Sequence, residues 1–487
     1  MSNVTLRIDE HTLTAPKGSL LIQVMLDNGL SIPHFCYHEA LEADGNCRMC
    51  MVEIEGQKRP QIACNTPIKE GMIVRTTTPS IMQTKRAILE LELRNHPVDC
   101  PICDQAGECS LQEYYMEVGL YDAHVAKSDK IHKAKHVDLG SHVVLDQERC
   151  VLCQRCVRFV HDKAKSADLV VTGRGATSVI SAVGAFTGNG YAMNVVDLCP
   201  VGALTSSDFR FAQRVWFLQS DASICHGCAR GCNIHLDHHA IKGGIDTLYR
   251  LRPRKNSAVN GHFMCDTGRI SYKSLNENRL LEPHVEGHAT SFSHTFSLLR
   301  RTLDDKSQTI VALVSPHWSL ENLASVKLFC ARFEIPLFGA HEASIEPSFA
   351  DEWLRVADRA PNRAGLELLG IDVSPHARDR ALSRAQVVLD FGHDATLSSM
   401  STRYYFGTHP HSDAQMQLPV AAYSEESGHL INCDNIVQHY SGSVKRSEPL
   451  LSLHALLGLL VMEGAWATQP FWHATLIDMA PSLEGRL

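Results

Sequence analysis

The stretch RCVLCQRCVRFVHD, residues 149–162, sets Cys150, Cys153 and Cys156 at C-x2-C-x2-C spacing. A thiol four positions further on would complete a four-ligand run, but Val160 stands there. Soft thiolates at this spacing suit zinc or an iron–sulfur core, and three of them leave either site one ligand short. The fold of this part of the chain turns on where the fourth ligand lies.

Two-cluster ferredoxins carry C-x2-C-x2-C-x3-C-P twice, and the last cysteine of each run ligates the other run's cluster. The stretch NVVDLCPVGALTSSD, residues 194–208, supplies such an ending in Cys199-Pro200. Counting back from it, the second run's own triplet falls on Asn189, Ala192 and Val195, and its crossed partner is Val160. One complete ligand set has been lost and the other kept, as expected when a duplicated scaffold sheds one cluster. Cys199 is therefore the fourth ligand, and the site reads as [4Fe–4S]; zinc would leave the vestigial run without a reason. Arg149, Arg155, Arg158 and Lys163 flank the triplet. The simpler reading is a solvated helix face. The alternative is that these cations offset the negative charge of a thiolate-bound cluster.

The rest of the cysteine usage has the same character. Of 17 cysteines, 15 lie at or before Cys265. The opening residues MSNVTLRIDE read as a strand with no export leader, so metal or redox chemistry explains the cysteines better than disulfides. A net charge of −8 over 487 residues argues against nucleic acid or an anionic membrane surface as partner. The most apolar stretch, residues 450–466, is interrupted by His454 and Glu463 and is too short to span a bilayer. A cytoplasmic location and no direct membrane span are expected.

Residues 3–9 alternate, with Val4, Leu6 and Ile8 on one face. After a turn near Asp9–His11 and a second strand comes GSLLIQVMLDNGL, where Ser19 caps a helix presenting Leu21, Val24 and Met25, and Asn28-Gly29 ends it. This order predicts a small β-grasp domain. Its cysteine loop holds Cys36, Cys47, Cys50 and Cys64, a set that suits iron–sulfur or zinc. A helix over SIMQTKRAILELELRN should turn Ile81, Ile88 and Leu91 inward. The next group, Cys100, Cys103 and Cys109, again lacks a ligand. His96 precedes Pro97, whose neighbour prefers extended backbone, and the ligand count points to this imidazole as the fourth donor. A last group, Cys225, Cys228, Cys232 and Cys265, has C-x2-C-x3-C-x32-C spacing, compatible with zinc as well, with Gly227, Gly231 and Gly261 permitting tight turns. Cys330 and Cys433 read as structural. From about residue 280, short apolar strands such as QTIVALVSP and AQVVLDFGHD alternate with helices such as LENLASVKLFCARFE, predicting a parallel α/β sheet. No dinucleotide, P-loop or hydrolase motif is present.

These four groups, in this order, resemble the family of large iron–sulfur subunits of bacterial complex I, NADH:quinone oxidoreductase. HPVDCPICDQAGECSLQ is similar to that family's segment with one histidine and three cysteine ligands, and to matching segments of hydrogenases and formate dehydrogenases. The resemblance implies [2Fe–2S] on Cys36, Cys47, Cys50 and Cys64. It implies three [4Fe–4S] clusters, on His96/Cys100/Cys103/Cys109, on Cys150/Cys153/Cys156/Cys199 and, as at the front of molybdopterin oxidoreductases, on Cys225/Cys228/Cys232/Cys265. DRAPNRAGLELLGID and LPVAAYSEESGHLINCDNIVQ resemble a degenerate, shortened molybdopterin-oxidoreductase domain with no molybdenum ligand, so no bound molybdopterin is expected. The fold class expected is multidomain α+β and α/β. The expected divisions are 1–80 for the β-grasp ferredoxin, 81–138 and 139–217 for the next two cluster domains, 218–275 for the fourth, and 276–487 for the shortened α/β domain. The partners implied are an NADH-oxidising FMN/iron–sulfur subunit, a small [2Fe–2S] subunit, and a downstream iron–sulfur or quinone-reducing subunit or a hydrogenase or dehydrogenase module. Attachment to the inner face of the cell membrane would then run through partner subunits. Catalysis at a substrate is not expected within this chain.

Overall fold

The computed structural model describes residues 2–122, 124–240, 246–339, 345–392, 401–445, 449–462 and 464–487; Glu463, and His393 and Asp394 at the end of AQVVLDFGHD, lie outside them. The chain divides into two compact units, Met1–Leu218 and Gln219–Leu487.

In the first unit, Asn3–Ile8 alternates exposed and buried residues, with Val4, Leu6 and Ile8 inside. It pairs antiparallel with His11–Pro16 and parallel with Ile73–Arg75, which in turn pairs antiparallel with Met51–Ile54. With Gln61–Ile62 at the far edge, these make a five-stranded mixed sheet against which Leu21–Asp27 lays Leu21, Ile22, Val24 and Met25, the β-grasp arrangement. Ser19 does not cap that helix. The Leu21 amide is taken by the Thr66 carbonyl (2.8 Å), and the Ser19 carbonyl accepts from Ile68 (2.9 Å), so the start is pinned by a neighbouring chain segment instead of a hydroxyl. Gly29 ends the helix with φ +73°, a left-handed conformation natural to glycine.

The helix Pro79–Leu93 starts at Thr78, whose hydroxyl accepts from the Ile81 amide. Its buried row is Ile81, Lys85, Leu89 and Leu93, whereas Leu91 is 70% exposed. The expected face is thus displaced, because Lys85 goes inward: its ammonium is satisfied by the Thr76 carbonyl at 3.0 Å, and a strict i, i+4 row forms around it. Further on, a three-stranded antiparallel sheet (Leu204–Ser206, Val143–Leu145, Val137–Gly140) carries the segments of the opening motif. Of the four positions of the lost ligand set, Val160, Ala192 and Val195 are fully buried, and Asn189 is exposed. Apolar side chains seal the interior where a second cluster's ligands would stand.

The second unit opens with an antiparallel sheet, Gln219–Ile224, Asn233–Ala240 and Asp246–Pro253. It continues into a seven-stranded sheet. Five of these strands, in the order Leu337–Gly339, Ile310–Val314, Val387–Phe391, Thr402–Gly407 and Met416–Pro419, run parallel, as the alternating pattern predicts. The central strands Ile310–Val314 and Val387–Phe391 are nearly all apolar because both faces are covered. Ser291, Ser319 and Ser452 cap Phe292–Asp304, Leu320–Arg332 and Leu453–Val461. The core joins Phe329, Phe391, Phe406, Leu456 and Trp472. Cys330 is buried there as a small apolar residue. Cys433 is not: it is exposed in a turn, and its amide binds the Ala229 carbonyl (2.8 Å). Among the described residues no helix is long and apolar enough to cross a membrane.

Candidate metal-cluster sites

The first cysteine set is assembled by the hairpin Met51–Ile54/Gln61–Ile62, in which the Ala63 amide bonds the Cys50 carbonyl at 2.9 Å. That bond brings Cys64 back beside Cys50. The Phe35 and Cys36 amides each donate to Cys47 Sγ at 3.4 Å. Gly45 lies where a Cβ would stand 2.7 Å from Ile62, with φ +75°. The thiols of Cys36 and Cys47, Cys36 and Cys64, and Cys50 and Cys64 are within hydrogen-bonding reach of each other. Hydrogen bonds from its neighbours hold the Cys36 thiol down, while Cys47 and Cys64, the donors, are pushed up. Four thiolates this close can ionise together only around a multivalent cationic core.

In the third set, where the opening question arose, Cys199 comes to lie beside the triplet. Leu152 and Gln154 take left-handed φ (+50° and +59°) and wrap the triplet around. Cys199 enters from the end of Asn194–Leu198. Cys150, Cys153, Cys156 and Cys199 all line one hollow, whose walls include Leu145, Ile180 and Leu204. Burial, then the charge of Cys199, pushes Cys150 and Cys153 up to about 12. A dry pocket of four thiols that resist ionising alone fits a bound iron–sulfur core, which supplies the compensating charge.

The fourth set lies where two antiparallel strands meet. Ile224 pairs with Asn233, and the Cys225 amide bonds the Cys232 carbonyl at 2.8 Å. Cys265 caps Asp266–Ile270, its sulfur accepting from Gly268 at 3.3 Å. All four cysteines line a hollow with Gly227, Gly268 and Phe349. Gly231 and Gly261 have left-handed φ, as the turns require, whereas a Cβ at Gly227 would stand at ordinary contact distance from Cys225 Sγ (3.4 Å). Gly268, which no spacing rule singles out, is tighter: a Cβ there would stand 3.0 Å from Cys225 Sγ.

In the second set, Cys109 stands at the N-cap position of Ser110–Glu117 and Cys103 follows the turn Cys100–Ile102. Burial, with the charges of Cys103 and Cys100, raises Cys109 to about 12. His96 Nδ1 accepts from the Val98 amide at 3.0 Å, so in the neutral imidazole the ring proton sits on Nε2. Val98 holds this turn at φ +49°, an outlier for a β-branched residue. Burial lowers the imidazole to about 4, so it is neutral, the state that binds metal. No observed hydrogen bond among the described residues joins His96 to the three thiols; His96 and Cys103 share Asp99 and Arg149 as charged neighbours. Among the described residues, no three His, Cys, Asp or Glu side chains are arranged to hold a single metal ion.

The flanking cations depart from the solvated-face expectation. Lys163 is exposed, but Arg149 is 3% and Arg155 8% exposed. Arg149 makes two 2.8 Å bonds to Asp99. Arg158 donates to the Glu42 carbonyl (2.5 Å) and to the Cys36 carbonyl. The three sets of the first unit are tied together. Asn46 bonds the Leu152 carbonyl (3.3 Å), Tyr114 exchanges bonds of 3.1 Å with the His34 backbone, and the Ser110 amide bonds the Pro200 carbonyl (2.9 Å).

The second unit also contains a cavity of about 330 Å3, lined by His226, Gly227, His317, Tyr423 and Glu426 among others. Glu426 is buried, accepting from Asn322 (2.8 Å) and Tyr440 (3.3 Å). Burial, then the charge of Glu321, pushes its carboxyl up to about 8. A folded-state value above the unfolded one gives stability that is full below the ordinary carboxylate range and lost as pH rises through about 8. Between about pH 5 and about pH 8, the thermal midpoint of the wild-type second unit falls, and Glu426→Gln flattens that fall. An equally steep profile in the variant would count against this assignment.

Family models match the regions of the first three cysteine sets, in that order. Residues 1–79 match a 2Fe-2S iron-sulfur cluster binding domain. Residues 85–124 match the NADH-ubiquinone oxidoreductase-G iron-sulfur binding region, and residues 140–205 the ferredoxin-like domain of NADH-quinone oxidoreductase subunit 3. The NADH-quinone oxidoreductase G subunit of Rickettsia prowazekii (strain Madrid E) is 34% identical over 308 residues, covering 63% of this chain and 45% of that protein. The G subunit of Streptomyces coelicolor is 38% identical over 291 residues, covering 58% and 33%. Each match spans less than half of the curated relative's length. A solved NAD+-reducing [NiFe]-hydrogenase chain, in the H2-reduced state, is 28% identical with a TM-score of 0.39, covering 44% of this chain and 91% of that one.

Proposed function

We infer that this chain, whose homologues are the G subunits of NADH-quinone oxidoreductases and which belongs with them to one iron–sulfur family, is the electron-carrying subunit of an NADH-oxidising complex. Bound iron–sulfur clusters supply one-electron redox chemistry. The chain's own residues fix where those electrons reside and how readily each centre is reduced. We assign [2Fe–2S] to Cys36, Cys47, Cys50 and Cys64. We assign [4Fe–4S] to His96/Cys100/Cys103/Cys109, to Cys150/Cys153/Cys156/Cys199 and to Cys225/Cys228/Cys232/Cys265. The divisions 1–80, 81–138, 139–217, 218–275 and 276–487 follow those sets. Electrons enter from a flavin-bearing subunit and a small [2Fe–2S] subunit and leave toward a quinone-reducing subunit, with membrane attachment through those partners.

The observation that carries this reading is the buried hollow lined by Cys150, Cys153, Cys156 and Cys199, four thiols drawn from two distant segments. The last region is read as a shortened molybdopterin-oxidoreductase-like domain without the pterin. The test is anaerobic purification with native partners, then iron counting, visible absorbance and EPR of the reduced protein. About fourteen irons, one binuclear and three tetranuclear centres, are expected from the ligand sets. A colourless, zinc-loaded protein would overturn the proposal, and molybdenum or tungsten in the sample would favour a catalytic pterin subunit instead.

His96→Cys is expected to keep the second cluster and lower its midpoint potential by on the order of 100 mV, since replacing imidazole by thiolate adds negative charge to the centre. EPR-monitored redox titration reads this directly, and an unchanged midpoint would remove His96 from the ligand set.

A further inference from the structure

Arg155 lies inside the third cysteine triplet and begins the short helix Arg155–Arg158, turned inward by the left-handed Gln154 before it. Its guanidinium is buried and donates to two carbonyls that belong to different sites. Nη1 donates to Leu198 O at 3.2 Å, the residue before Cys199. Nη2 donates to Tyr37 O, the residue after Cys36. Nε is buried without a partner. Burial disfavours its charge, and the groups that favour it are Cys153, Tyr114, Cys199 and Cys36. Arg149 is the contrast, because Asp99 and Asp146 pair with it at 2.8 and 3.3 Å. A buried cation bonded only to neutral carbonyls is costly unless charge nearby compensates it. The negative charge within reach of Arg155 is the thiolate of two cysteine sets.

We propose that Arg155 is a shared counter-ion of the first and third clusters, a positioning residue that bridges the backbone beside one ligand of each and raises both reduction potentials. The proposal rests on the cluster assignment above. Net charge and local hydrogen bonding set a cluster's potential, and a charge held in a dry interior acts strongly. One guanidinium between two anionic centres therefore makes each easier to reduce. A purely structural clamp would fix the two backbones without moving either potential.

The experiment is an EPR-monitored redox titration of the assembled complex carrying Arg155→Gln, with Arg155→Lys beside it. In the glutamine variant, the midpoints of the first and third clusters both shift to more negative values, and the second and fourth stay put. In the lysine variant, which keeps the charge but cannot reach both carbonyls as a fork, at least one of the two midpoints falls, by less than with glutamine. Full iron content in the glutamine variant with both midpoints unmoved overturns the proposal. So does an equal shift in all four clusters, which reports general loosening. Should the glutamine variant lose iron, the lysine variant decides: retained iron with a lowered first or third midpoint upholds the proposal. Unmoved midpoints, or iron lost there too, overturn it. A wild-type complex without these EPR signals would instead sink the cluster assignment itself, so the two failures are distinguishable.

Discussion

Cys199→Ser abolishes the EPR signature of one four-iron cluster and leaves those of the first, second and fourth sets in place. The reason is the geometry of the hollow. Cys150, Cys153 and Cys156 come from one turn and cover one side of it, and the other side is closed by Cys199 with Val201, Ala203 and Leu204. Cys199 is only 9% exposed, and its neighbours are apolar, so neither water nor another side chain is placed to substitute for the thiolate. The remaining sets take their ligands from other segments, so the loss is selective. Iron counting should fall from about fourteen toward about ten. Cys433→Ser, at an exposed thiol in a surface turn, is the control and changes neither number nor signal. Full iron with an unaltered spectrum in Cys199→Ser would refute the crossed-ligand reading and, with it, the vestigial-run argument.

The meeting of Cys199 with the triplet in one hollow is legible in the sequence because residue type and spacing are written in residue names. Val160, Ala192 and Val195 stand where the second run's spacing would put ligands, and all three are buried apolar residues. The strand alternation of residues 3–8 and the five parallel strands of the second unit are equally legible, since period and composition respond directly to which faces are covered. What escapes is whatever depends on a partner far along the chain. Arg155 looks like any charged helix residue until its Tyr37 carbonyl, 118 positions away, is in place. Lys85 and Leu91 exchange expected roles because a single carbonyl, that of Thr76, satisfies a buried amine. Ser19 has the composition of a cap, yet a neighbouring segment takes the amide first. His96 stands out by ligand count, and the Val98 hydrogen bond that orients its ring has no counterpart in such a count.

Gly202 shows how tightly one site constrains the next. It belongs to the segment after Cys199, yet a Cβ built on it would stand 2.2 Å from Cys103 Sγ, 3.1 Å from Gln105 Cβ and 3.6 Å from Arg149 Cδ. Its backbone needs no left-handed φ, so space alone demands glycine. A free cysteine could swing away from an added methyl, but a thiolate bonded to iron cannot without leaving the cluster. The opposite retreat, moving the backbone, is resisted by the Ser110–Pro200 hydrogen bond of 2.9 Å and by Cys199 in the third set. Gly202→Ala therefore strains the second cluster, and Gly202→Val, with two more carbons, expels it at a cost of about 3 kcal/mol or more, at the upper end of overpacking effects. The expected result is loss of the second cluster's EPR signal with the third retained, and a lower unfolding midpoint for the first unit. Gly464→Ala, where nothing lies within 4 Å of the added carbon, stays within about 0.5 kcal/mol of wild type. If Gly202→Val kept all its iron and an unshifted second-cluster signal, Cys103 would have to be free to move, and its place among the iron ligands would be lost.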